Sequence, residues 1–129
     1  MKGDKANYSK YAGQLADSLS LLRDNGVYVE ALSVQNEPDI ENERYDTCRW
    51  TGRQIHDFIP FLFKAVSGSG FEKVKIAAPE QSTWAFNLMS ETMSDPTVAD
   101  KVGVVFGHAY GSQNPSGLPS AGGRHVWQT

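Results

Sequence analysis

Residues 33–39, SVQNEPD, place an amide and a carboxylate directly after an apolar run. Pro38 removes a backbone donor and disfavours helical geometry in the residue before it, so we expect Glu37 to be extended, with its side chain fixed where the strand ends. The neighbouring Asn36 amide can both donate to and accept from a hydroxyl group. Asp39 adds a second acid just behind.

A carboxyl group aimed by a rigid strand suits the cleavage of a glycosidic bond. That reaction usually needs two carboxylic acids, one that protonates the leaving oxygen and one that attacks the sugar or activates water. By its position, Glu37 fits the proton donor. For the Asn-Glu-Pro tripeptide alone, a plain strand-to-loop exit is the competing interpretation.

Other polar and aromatic side chains follow the remaining predicted strands. Glu80 ends one strand, either as a hydrogen-bond acceptor in a cleft or as a solvated strand exit. His108 and Tyr110 end another strand. A histidine alone is more often a buried side chain whose hydrogen bonds are made within the protein, and only the nearby Tyr110 favours a functional role for His108. Trp50 and Trp84 can stack on sugar rings, or they can belong to the core or to a lid.

Several other functions have no support in the sequence. A metal site built from Glu37, Glu80 and His108 lacks any ligand pair at metal-binding spacing, so we expect no metal. Cys48 is the only cysteine and is expected to be a packed thiol, and His56 is expected at the surface. The net charge of −3 comes without a basic stripe, which argues against a nucleic-acid partner. No apolar stretch reaches 18 residues, and the start of the chain has no signal-peptide core.

The hydrophobic periodicity predicts helices alternating with short apolar strands. Pro60 lies inside the second helix, where we expect a kink or a break. The predicted elements are a helix at 8–25, a strand at 27–34, a helix from a capping box at 51–54 to 66, a strand at 74–80, helical pieces at 84–101, a strand at 102–111, a loop at 112–123 and a strand from 124. This order predicts an α/β fold with a parallel sheet, either an open doubly wound sheet or a (β/α)8 barrel. No Gly-rich phosphate loop follows any strand, so no nucleotide cofactor is expected.

Five segments carry a family resemblance: ALSVQNEPD, YDTCRWTG, VKIAAPE, GHAYG and VWQT, in this order. Together they resemble glycoside hydrolase family 30, retaining hydrolases on a (β/α)8 TIM barrel with an attached β-domain, and in particular its xylanase and glucuronoxylanase branch. The resemblance runs from about residue 30 to the end. A full barrel needs about 250 residues. The resemblance therefore implies that residues 1–129 are a partial catalytic domain, from about strand four to strand seven of the barrel.

The resemblance also implies roles for individual residues. Glu37 corresponds to the acid/base, and Asn36 to the residue that holds the sugar 2-hydroxyl. Tyr110 corresponds to the tyrosine that hydrogen-bonds the nucleophile, with His108 beside it in the cleft. The nucleophilic glutamate is expected directly after Thr129, so the chain alone is expected to be inactive.

By the same resemblance the substrate is a polysaccharide, β-1,4-xylan or glucuronoxylan. No cofactor, nucleic acid, membrane or protein partner is implied, and a polymeric substrate implies a secreted enzyme. Two alternatives stay open. One is another family 30 activity, β-glucanase or glucosylceramidase-like; the other is a non-catalytic, carbohydrate-binding barrel fragment that keeps Asn36, Tyr110 and the tryptophans.

Overall fold

The computed structural model describes residues 4–110 and 121–129. Helices alternate with strands, as the sequence predicts, and a 3-10 turn precedes the two shortest helices. The elements are α1 Lys5–Asp24, β1 Ala31–Ser33, α2 Gly52–Gly68, β2 Lys75–Gln81, the 3-10 turn Asn87–Met89, α3 Ser90–Ser94, α4 Pro96–Ala99, β3 Val102–Gly107 and β4 His125–Gln128. The predicted loop at 112–123 lies almost wholly outside the described residues.

The four strands form one parallel sheet in the order β1-β2-β3-β4. Leu32 pairs with Ile76 in β2, and Val105 in β3 pairs with Val126 in β4. The prediction of an α/β fold with a parallel sheet is confirmed. Because all four strands run the same way, their carboxyl ends lie along one edge of the sheet, which is where α/β folds with parallel sheets bind their ligands.

The first strand is shorter than the sequence predicts. It begins at Ala31, whereas the expected strand covered 27–34. Val27 and Tyr28 are exposed, at 48% and 86%, and so are not buried as residues of an inner strand would be. The Val27 amide instead donates to the Leu22 carbonyl oxygen at 2.9 Å, closing the turn after α1.

Pro60 does not interrupt α2, which runs unbroken from Gly52 to Gly68. The expectation of a broken helix is therefore wrong. An interior proline costs about 3 kcal/mol, but each fully buried Phe or Ile side chain contributes about 1.5–3 kcal/mol. Phe58, Ile59 and Leu62 flank the proline, and all three are fully buried. The predicted capping box at the start of this helix, between Thr51 and Gln54, is present.

The main core lies between the helices and the sheet. Tyr8 of α1 contacts Phe58 of α2 at a ring-centroid distance of 5.6 Å, and Ile76 and Val102 reach the same cluster from the sheet. The other face of the sheet has a smaller apolar cluster, made of Ala31, Ala77, Val104, Phe106 and Trp127. The strands are therefore apolar on both faces, as parallel strands usually are. Among the described residues, no helix combines the length and apolar character needed to cross a bilayer.

His56 is not a surface residue, contrary to the sequence expectation. Its side chain is only 14% exposed and lies between two carboxylates. Nδ1 is 2.8 Å from Asp57 Oδ1, and Nε2 is 3.2 Å from Asp95 Oδ2. The side chain therefore bridges α2 and the residue that caps α4. Asp95 also accepts from the Thr97 amide and so caps the start of α4.

Candidate active site

Backbone hydrogen bonds continue between neighbouring strands past the point where they end. The Glu37 amide donates to the Glu80 carbonyl oxygen at 3.0 Å. The His108 amide donates to the Gln81 carbonyl oxygen at 2.8 Å, and the Tyr110 amide to that of Ser82 at 3.1 Å. Three strand exits are thus fixed side by side, and the polar residues that the sequence placed at separate strand ends meet at one edge of the sheet.

The Glu37 side chain is 16% exposed, and its backbone φ is +46°. The expected extended conformation is therefore wrong. The proline argument disfavours right-handed helical geometry but does not forbid positive φ. A tight turn imposes it instead, since the Ile40 amide donates to the Glu37 carbonyl oxygen and the Trp50 amide to that of Pro38.

His108 is buried and lies next to the Glu37 carboxylate. Its Nδ1 lies 2.6 Å from the Thr129 carbonyl oxygen, and because that oxygen can only accept, Nδ1 carries a proton. Its Nε2 lies 3.3 Å from Asn36 Oδ1 and 3.9 Å from Glu37 Oε1. The imidazole therefore lies next to both the exposed Asn36 and the acid that follows it.

Tyr110 stacks on His108, with ring centroids 5.0 Å apart and planes at 11°. Tyr110 is 60% exposed, so most of its side chain is open to solvent. His108 in turn is fixed by its bond to Thr129. The stack gives the tyrosine a defined orientation although little else covers it.

Glu80 is half-buried and lies in the same electrostatic environment. Burial raises the pKa of its carboxyl group, a hydrogen bond from Ser33 and the charge of His108 oppose that rise, and the charge of Glu37 adds to it. Glu80 is therefore not a fully solvated strand exit. A carboxyl group with a raised pKa next to a second carboxylate is typical of functional sites.

Asp39 and Ser82 also belong to the site, and their pairing could not be predicted from the sequence. Asp39 Oδ1 accepts from the Ser82 amide at 2.9 Å, and Oδ2 from the Ser82 hydroxyl at 2.7 Å. The two residues are 43 positions apart. The only signal in the sequence is that each follows a strand-end glutamate by two positions.

The two tryptophans have different environments. Trp50 is 2% exposed, lies edge-to-face against Phe58 at 5.2 Å, and donates its indole N–H to Cys48 Sγ at 3.2 Å. Trp50 is therefore a core residue and is not available for stacking on a sugar, because the faces of its ring are covered by other side chains.

Trp84 is half-buried and stays at the edge of the sheet. Its ring is edge-on to Phe86, with centroids 4.8 Å apart. Phe86 is packed so closely over Gly107 that a Cβ there would lie 2.8 Å from its ring. Trp84 is thus held near the end of β2 with part of its surface free, which suits stacking on a sugar.

A cavity of about 250 Å³ opens next to Glu37. Asn36 and Glu37 form one wall, and the segment after them forms the other, with Ile40, Tyr45 and Thr47. The lining is mainly polar, as a site for a hydroxyl-rich ligand requires. Within residues 4–110 and 121–129, no three His, Cys, Asp or Glu side chains are arranged to hold a metal ion.

Comparison with known proteins places this site in context. No protein-family model matches the chain. The chain is 28% identical over 127 residues to the glucuronoxylanase XynC of Bacillus subtilis, an alignment that covers 95% of this chain and 28% of that protein.

Solved structures show the same likeness. The family 30, subfamily 8 xylanase Xyn30A from Clostridium acetobutylicum superposes with a TM-score of 0.80 at 35% identity, over 98% of this chain and 32% of that one. A family 30 endoxylanase from Clostridium papyrosolvens C71 superposes with a TM-score of 0.76 at 30% identity and the same coverage. The chain thus spans about a third of the length of these relatives. Its resemblance to glycoside hydrolase family 30, and in particular to the xylanases of that family, is confirmed.

Proposed function

We propose that this chain supplies the acid/base carboxyl group and part of the sugar-binding cleft of a retaining endo-xylanase acting on β-1,4-xylan or glucuronoxylan. One observation carries the proposal. Glu37 is half-buried at the carboxyl edge of a parallel sheet, with Oε1 3.9 Å from His108 Nε2, in a chain similar to family 30 xylanases along nearly its whole length. Sites of α/β barrels lie at that edge.

In this scheme Glu37 acts twice. Its protonated carboxyl group gives a proton to the glycosidic oxygen as the bond to the leaving sugar breaks, and its carboxylate then takes a proton from the water that releases the product. Asn36 holds the 2-hydroxyl of the sugar at the cleavage site. Trp84 stacks on a neighbouring sugar, and Glu80 accepts a hydrogen bond in the cleft.

The second carboxylate is the nucleophile, which must lie about 5–5.5 Å from the first in a retaining enzyme. We assign it to a longer polypeptide that includes these 129 residues, since the relatives are about three times as long. Tyr110, stacked on His108, is the side chain we assign to hold that nucleophile by a hydrogen bond. The chain by itself then binds xylo-oligosaccharides without cleaving them. Clear release of reducing sugar from xylan by the 129-residue chain would overturn this assignment.

The reaction needs no cofactor, and because xylan is too large to enter a cell, we place the enzyme outside it. The test uses the complete open reading frame that encodes this chain. We expect it to release xylo-oligosaccharides from xylan, with the β-anomer formed first when the reaction is followed by proton NMR. Preference for β-1,4-glucan or a glucosylceramide favours another family 30 activity. Binding of xylan without hydrolysis favours a carbohydrate-binding role.

A further inference from the structure

We propose that Asp39 is a positioning residue for Glu37 and acts through Ser82. This inference rests on the proposed acid/base role of Glu37. It concerns a group that does not touch the substrate but decides where the acid sits.

The starting point is the backbone of Glu37. A φ of +46° is unfavourable for any residue with a Cβ, because the Cβ crowds the carbonyl oxygen. Such a conformation persists only where the surroundings hold it in place. Glu80, the residue to which Glu37 is bonded, also has positive φ, +59°. At Glu37 the turn closed by the Ile40 amide supplies part of this support, and contacts between the two strand exits add to it.

The Asp39 carboxylate makes a suitable contact. It accepts from both the amide and the hydroxyl of Ser82, at 2.9 and 2.7 Å. Hydrogen bonds to an ionised carboxylate are shorter and stronger than those between neutral groups. Together with the bond from the Glu37 amide to the Glu80 carbonyl oxygen, they close a ring through both turns. Within that ring, the backbone of Glu37 cannot turn without breaking one of these hydrogen bonds.

The ring is also tied to the third strand. The Ser82 carbonyl oxygen accepts from the Tyr110 amide at 3.1 Å, and the Gln81 carbonyl oxygen accepts from the His108 amide at 2.8 Å. Ser82 therefore contacts Asp39 on one side and the exit of β3 on the other. Asp39 sets the position of Glu37 relative to His108 and Tyr110, which are the groups that the sugar must also meet.

A displaced acid and an unstable fold have different kinetic consequences. A sugar hydroxyl is a poor leaving group and needs protonation, whereas 2,4-dinitrophenolate leaves without it. kcat/KM for a retaining enzyme reports the first step, in which the leaving group departs. A positioning defect therefore lowers kcat/KM for xylohexaose and leaves kcat/KM for 2,4-dinitrophenyl xylobioside nearly unchanged. A general loss of structure lowers both.

The experiment measures both substrates with the complete protein and with Glu37→Gln, Asp39→Asn, Ser82→Ala and the Asp39→Asn/Ser82→Ala double variant. Asp17→Asn, an exposed site on α1, is the matched control. We expect Asp39→Asn to lose about tenfold or more on xylohexaose, the scale on which small misplacements act, and less than about threefold on the activated substrate. The double variant should lose no more than the larger single loss, because both changes break one contact.

Equal losses on both substrates, or no loss on xylohexaose, would overturn the role of Asp39. If Asp39→Asn does not fold, Ser82→Ala decides, because it keeps the bond from the Ser82 amide and should show a smaller loss of the same selective kind. The Glu37→Gln variant separates the two proposals. If Glu37→Gln loses equally on both substrates, the acid/base assignment fails. If Glu37→Gln loses selectively on xylohexaose but Asp39→Asn and Ser82→Ala do not, only the positioning role of Asp39 fails.

Discussion

The backbone amide of Glu37 donates to the carbonyl oxygen of Glu80 at 3.0 Å, and both residues have positive φ. Two carboxyl groups thus leave adjacent strands joined by a backbone hydrogen bond, and the charge of Glu37 adds to the rise in the pKa of Glu80 that burial causes. This pair is tied to the third strand by the bonds of His108 and Tyr110 to the segment after Glu80. A substitution of either glutamate should therefore also affect the residues at the neighbouring strand ends.

Glu80→Gln should change how stability depends on pH. Burial raises the pKa of Glu80 above its ordinary value of 4.5, so the folded state binds this proton more tightly than the unfolded state does. Its contribution is therefore fully present below about pH 4.5 and is lost as pH rises through the raised pKa. Glutamine never ionises, so the variant should gain stability relative to the parent as pH rises from about 4 to 7.

The measurement for Glu80→Gln is urea unfolding at several pH values, taken as the difference from the parent. Glu72→Gln, at an exposed position before β2, serves as the control and should show a small difference that does not vary. A difference for Glu80→Gln that is constant from pH 4 to 7 would show that Glu80 is not buried as described.

Asp95→Asn should change the acid limb of unfolding. Hydrogen bonds from Thr97 and then from His56 lower the pKa of Asp95 from its ordinary 3.8 to about 2. A depressed folded pKa contributes stability above about pH 3.8 that disappears as pH falls toward 2. The variant should therefore melt at a lower temperature than the parent at pH 6, and the two melting temperatures should converge by about pH 2. Parallel curves throughout would refute the depressed pKa, and Asp17→Asn provides the reference for a plain surface change.

Trp50→Ala and Trp84→Ala should affect different quantities. Removing the buried Trp50 ring should destabilise the fold by about 3–5 kcal/mol, the usual cost of such a cavity. Removing Trp84 should cost much less stability and weaken xylo-oligosaccharide binding by about two- to tenfold, as the loss of one aromatic contact does. Chemical denaturation and calorimetric titration check the pair. A Trp50→Ala variant that is as stable as the parent but binds sugar more weakly would show that Trp50 belongs to the sugar-binding cleft and not to the core.

Much of the architecture could be predicted from local patterns. The apolar, β-branched runs that became β2 and β3 indicate buried parallel strands, and the regular stripe of α1 indicates a packed helix. Parallel strands bring their carboxyl ends together, which is why Glu37, Glu80 and His108 could be expected at one edge.

What could not be predicted depends on contacts between distant residues. The positive φ of Glu37 comes from a turn closed by Ile40 and from a neighbour 43 positions away, and neither is visible in the tripeptide. His56 lies between two aspartates because α4 packs beside α2, and Trp50 faces inward because α1 presents aromatic rings to it. Predicting each of these features would require knowing which helices and strands pack against each other.

The central claim is that Glu37 is the acid/base, and the most direct test is kcat/KM on xylan for Glu37→Gln in the complete protein. The amide keeps the size of the side chain and removes the proton that the leaving oxygen needs. We predict a loss of about 10²–10⁴-fold, the range typical of general acid–base groups, with an unchanged melting temperature and with Glu72→Gln close to the parent. Xylan turnover by Glu37→Gln within about threefold of the parent would contradict the assignment.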